Sequence, residues 1–164
     1  MNSREIIQRT HRISALIGYA VFGALLLYLI LVELLKVKLA PFHGLYPIQD
    51  MQTIKNLRYL FYGLSAASVI LARLLQSLLL QKKPGDTPLD LLNKLHRTSL
   101  ILVIMSELPA MFGLILFLIR GLTKDFYLLL GVSVVVLFIF FPRRQAWEQW
   151  LVEKTSSKDW ASVE

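Results

Sequence analysis

Four long apolar blocks, separated by short polar segments, organise the chain. The first runs from Ile13 to Leu35, with Glu33 near its end. The second runs from Leu57 to Leu80, with Arg58 at its rim and Arg73 inside. The third, Thr98–Ile119, carries Glu107 near its middle, and the fourth, Phe126–Phe141, is almost purely apolar and closes on Pro142. The apolar residues are contiguous rather than spaced at the period of a water-soluble amphipathic helix or strand. A helix needs about 20 apolar residues to cross the hydrocarbon core. The first three blocks meet that length; the fourth does so if the bilayer thins locally or if the helix starts within the turn before it. The pattern predicts an all-α membrane protein with four transmembrane helices, forming a single membrane domain over residues 1–164.

The connections differ in character. Lys36–Asn56 holds Pro41, Gly44 and Pro47 and reads as an ordered turn or short interfacial segment. Gln81–Arg97 opens with the breaker Lys82-Lys83-Pro84-Gly85-Asp86. It then offers Thr87 as an N-cap and Pro88 as a first helical residue. Arg120–Asp125 reads as a tight turn. Two short matches suggest a duplication. His11-Arg12-Ile13-Ser14 before the first block parallels His96-Arg97-Thr98-Ser99 before the third, and Tyr59–Ser65 parallels Tyr127–Ser133. The spans are therefore expected to form two repeated hairpins in parallel orientation, related by an axis along the membrane normal. After Pro142, Trp147, Trp150 and Leu151 fall on one helix face behind Arg143 and Arg144. Residues 143–152 are expected to form an amphipathic segment in the headgroup layer, anchoring the last span.

Composition sharpens this picture. The mean hydropathy is +0.57 and 55% of the residues are hydrophobic, more than an ordinary soluble domain carries. In a chain this apolar, the net charge of +7 points to anionic lipid headgroups rather than nucleic acid. With no cysteine, disulfides, thiolate metal sites and a cysteine nucleophile are excluded. The first block is too long for the apolar part of a signal peptide, and no small-x-small cleavage site follows it, so it is expected to stay as a span. With the N-terminus inside, the cytoplasmic segments would carry eleven Lys and Arg residues against six on the other side. That bias places both termini in the cytoplasm, with the inner membrane as the expected location.

Chemistry concentrates on Glu107. It stands about 14 Å from the cytoplasmic end of its span, where a carboxyl group needs a partner, a proton or water. Pro109 removes the helix bond to the Met105 carbonyl and leaves an acceptor beside the acid, and Gly113 permits a close helix neighbour. The run Ser106-Glu107-Leu108-Pro109-Ala110-Met111-Phe112-Gly113-Leu114-Ile115-Leu116 resembles the carboxylate-bearing helix of the rotor-ring proteolipid subunit of rotary ATP synthases. That resemblance implies that Glu107 matches an ion-carrying carboxylate; the repeat places Phe22 where a second acid would stand. Arg73 offers a different fate. At about 10 Å from the cytoplasmic side it matches Glu107 closely in depth, so the two are expected to form a buried ion pair tying two spans together.

Three functional expectations follow, none of them enzymatic. The first is a noncatalytic subunit or scaffold that binds partner membrane proteins or itself, with Arg73–Glu107 as a clamp. The second is a proton- or ion-handling subunit using Glu107. The third is an electron-transfer anchor, with haem b or quinone held near His11 and His96.

Overall fold

The computed structural model describes residues 3–46, 50–81 and 88–141. Their regular structure is wholly helical: α1 (Ser3–Lys38), α2 (Met51–Leu79), α3 (Pro88–Met105), α4 (Leu108–Arg120) and α5 (Thr123–Phe140). Among the described residues, four stretches are long and apolar enough to cross a membrane: Arg12–Lys38, Met51–Leu79, Asp90–Arg120 and Thr123–Phe140. This is the architecture of a multi-pass membrane protein. The third stretch is α3 and α4 together, interrupted at Ser106 and Glu107.

Several boundaries differ from the sequence expectation. The loop expected over 36–56 is shorter, because α1 continues to Lys38 and α2 begins at Met51. Neither extension contains Pro or Gly to stop it, and Asp50 supplies a helix cap. Its carboxylate accepts from the amides of Gln52 (3.1 Å) and Thr53 (3.0 Å) and from the Thr53 hydroxyl, satisfying donors that a helix N-terminus otherwise leaves open. The 120–125 turn contracts to Gly121-Leu122, and α5 begins at Thr123, inside the expected turn. Pro88 is the first residue of α3; Thr87 lies outside the described residues.

The cap also carries a pH dependence. It holds the Asp50 carboxyl below the usual carboxylate range, first through the Thr53 hydroxyl and then through the two amides. Because the folded value lies below the unfolded one, this stabilisation is fully present above about pH 4. It is lost as pH falls through the lower folded value. Hydrogen exchange is expected to show the first turn of α2 losing protection in acid, with Asp50→Asn removing most of that dependence. Equal protection of the native turn in acid and at neutrality would refute the cap.

The broken third span is the hub. It is the most buried of the four, and α2 is the least. α3 packs on α1 and α2, while α4 packs chiefly on α5 and α2. α2 is thus held mainly by the third span, through a face that buries Ile54, Ser65, Ser68 and Ala72. Inside, Val21, Leu25, Val103, Ala110 and Leu137 form one cluster, and Val32, Phe117 and Phe126 form another.

The α4–α5 corner is close-packed. Gly113 faces α5, and a Cβ there would stand 3.2 Å from the Phe126 Cα and 3.0 Å from the Leu129 Cβ. Gly121 ends α4 in the left-handed region at φ 68°, and its amide bonds the Phe117 carbonyl. The α1–α2 loop lies across this end of α4. Leu45 and Tyr46 donate their amides to the carbonyls of Leu118 (2.8 Å) and Ile119 (3.2 Å), and Phe42 packs on Phe117 with centroids 4.9 Å apart.

Candidate functional site

The interruption of the third span builds the site around Glu107. Pro109 has no amide to give Met105 and cannot sit in a continuous helix interior without clashing. The chain answers by ending α3 at Met105 and restarting α4 at Leu108, with Pro109 in the first turn, where a missing donor costs least. Across the break the Glu107 amide reaches back only to the Ile104 carbonyl (3.1 Å). The Ala110 amide leaves the helix altogether and donates to Ser133 Oγ of α5 (2.8 Å). Ser133 is fully buried, so a backbone donor freed by the break is satisfied by a neighbouring span.

Glu107 itself is half-buried, and its carboxyl accepts the hydroxyl of Tyr28 from α1. This corrects the expected ion pair with Arg73. Arg73 is on the exposed outer side of α2, where Nη1 reaches Gln76 Oε1 at 3.5 Å and the guanidinium lies over the Phe140 ring at 5.2 Å. The reason is rotational: matching depth does not put two residues on facing sides of their helices. Glu107 belongs to neither the Lys36–Glu33 nor the Arg58–Asp125 ion pair.

Those pairs lie nearer the end of the bundle that carries the α1–α2 loop. Asp125, in the first turn of α5 and 4% exposed, accepts from Arg58 Nε (3.1 Å) and Nη2 (2.7 Å) and from the Tyr62 hydroxyl. On the other side of α5, Lys36 bridges both Glu33 oxygens at 3.1 Å, and the Tyr127 hydroxyl donates to the same carboxylate. Three carboxyl groups thus share one design, each meeting a tyrosine hydroxyl from another helix. Two also hold a cation; Glu107 does not.

The histidines stand differently. His96 Nδ1 is 2.7 Å from the Ser14 hydroxyl of α1, tying α3 to α1. The side chain of His11 lies outside the described residues, as do Arg143, Arg144, Trp147 and Trp150. His43 is in the α1–α2 loop, at the opposite end of the bundle from His96. The described residues contain no group of three or more His, Asp or Glu side chains placed to hold a metal.

Sequence reasoning found Glu107, Pro109 and Gly113 but missed Tyr28, Tyr62, Ser133 and the pairing of Asp125 with Arg58. A usable signal existed for some of these: a tyrosine inside an apolar span has a hydroxyl that needs a partner, and the spans offer few acids. Compared with known proteins, the chain matches no family model, no curated sequence and no solved structure.

Proposed function

We propose that the chain is a noncatalytic multi-pass membrane protein that serves as a subunit or scaffold of a membrane complex. The observation that carries this reading is Arg73. It is exposed on the outer side of α2, about 9 Å along the span from Leu79. No carboxylate of this chain pairs with it among the described residues. Gln76 and the Phe140 ring touch the guanidinium but carry no charge; a cation at such a position is costly unless neutralised, and an acidic group on a partner span would neutralise it. In this reading the internal tyrosine–carboxyl links hold the bundle together and leave the outer face of α2 for a partner.

The arrangement extends to finer features: two hairpins related by duplication, an interfacial amphipathic segment after Pro142, and an inner-membrane location with cytoplasmic termini. The test is purification in mild detergent. The wild type is expected to run with a partner chain or a second copy, and Arg73→Leu to release it without unfolding the bundle. A wild type that runs alone would sink the reading.

Glu107 supports a second reading, as the proton-handling carboxyl that its proteolipid-like surroundings suggest. The specific observation is that its partner is a neutral hydroxyl beside a helix break, rather than a cation. Carbodiimide labelling of Glu107 and loss of proton flux in Glu107→Gln vesicles are the expected results. Flux that survives Glu107→Gln would dispose of it.

A further inference from the structure

A cavity of about 380 Å³ opens between α1 and α5, lined by Tyr19, Phe22, Leu137, Phe138 and Phe141. Gly18 makes room for the Phe141 ring at its edge. The Phe141 ring lies so near α1 that a Cβ on Gly18 would stand 2.7 Å from its Cε2. Tyr19 meets the same ring edge-on, with centroids 5.4 Å apart. The Phe141 ring is thereby pressed onto the backbone of α1, while Phe22 and Phe138 line the cavity and stay exposed. Pockets that hold small molecules run from about 300 to 1,000 Å³, so this one has room for a single slender apolar occupant.

Its position along α1 says what that occupant carries. Arg12 precedes Tyr19 by seven residues, nearly two helical turns, so the two share one face of the helix; both are exposed. Arg12 immediately precedes the apolar block that begins at Ile13, and the helical rise sets Tyr19 about 10 Å deeper. A cation at the depth of lipid phosphates therefore stands directly above an aromatic groove at the depth of acyl chains. Arg12 belongs to neither the Lys36–Glu33 nor the Arg58–Asp125 ion pair.

The geometry points to a docking site for one anionic phospholipid, its phosphate on Arg12 and one acyl chain running past Tyr19 between Phe22 and Phe138. The vertical order of charge and apolar surface reproduces that of the lipid itself. A wholly apolar occupant would leave Arg12 unmatched, and a free phosphate would leave the groove empty.

The test uses the full chain, reconstituted with equal amounts of palmitoyl-oleoyl phosphatidylglycerol and the corresponding phosphatidylcholine, with retained lipid read by native mass spectrometry. The wild type is expected to keep one lipid per chain, with phosphatidylglycerol favoured about fivefold, the effect of one basic side chain at an anionic surface. Arg12→Gln should abolish the preference while retaining lipid, and Phe138→Ala should lower retention of both lipids. Both side chains are exposed, and circular dichroism checks that each variant keeps its helices. An undiminished preference in Arg12→Gln, retention by Phe138→Ala equal to the wild type, or a wild type holding an isoprenoid quinone in place of phospholipid would each overturn the proposal.

Discussion

Arg58→Leu is expected to lower the stability of the detergent-solubilised bundle by about 3 kcal/mol, read as a fall in the midpoint of thermal unfolding followed by circular dichroism. The substitution leaves Asp125, only 4% exposed, as a buried carboxylate with the Tyr62 hydroxyl as its remaining partner. Removing one member of a buried pair costs more than the pair contributes, because the survivor keeps its desolvation penalty. The figure sits at the low end for such losses because the Arg58 side chain is 43% exposed, which weakens the original attraction. The double variant Arg58→Leu/Asp125→Leu removes both charges and is expected to return to within about 1 kcal/mol of the wild type. A double variant as unstable as the single one would show that lost packing, not the stranded carboxylate, sets the cost.

Gly44→Ala is expected to be comparably severe, at roughly 3 kcal/mol, from backbone strain and overpacking together. Gly44 sits at φ 91°, a conformation that L side chains rarely adopt. A methyl group there would also collide with the Ile119 carbonyl and stand 2.5 Å from the Arg120 Cα. Those atoms are backbone and cannot swing aside as a side chain could. The loop must therefore lift from α4, losing the amide bonds of Leu45 and Tyr46. Protease cleavage within 39–46 should accelerate at the same time. A variant that melts with the wild type and resists cleavage would show that the loop does not need its docked position.

Contiguous apolar runs make the four spans legible from sequence, because a bilayer demands length and hydrophobicity and little else. The bond lost at Pro109 is legible too, being a local property, but the sequence reads as one span over 98–119 and does not reveal the split into α3 and α4. What a single sequence hides is rotation. Arg73 and Glu107 match in depth along their spans, yet Glu107 meets Tyr28 of α1 while Arg73 meets Gln76 and the Phe140 ring. Depth follows from counting residues, but facing depends on how all the helices pack. The same limit hides Ser133, whose partner is an amide freed by a proline 24 positions earlier in the chain. The cap at Asp50 is within reach of a sequence reading, because an Asp three residues before a Thr is a cap signal, but Pro47 and Gly44 make the expected loop too long.

The third span is, mechanically, two rods meeting at a joint. The upper rod, α3, is pinned to α1 through His96 and Ser14; the lower, α4, is fastened to α5 through Ala110 and Ser133 and through the Gly121 turn. Between the rods, at Ser106 and Glu107, the Glu107 amide reaches back three residues to Ile104 instead of four. The Tyr28 hydroxyl bonds Glu107 at that joint, so α1 is fastened to the point where the two rods meet.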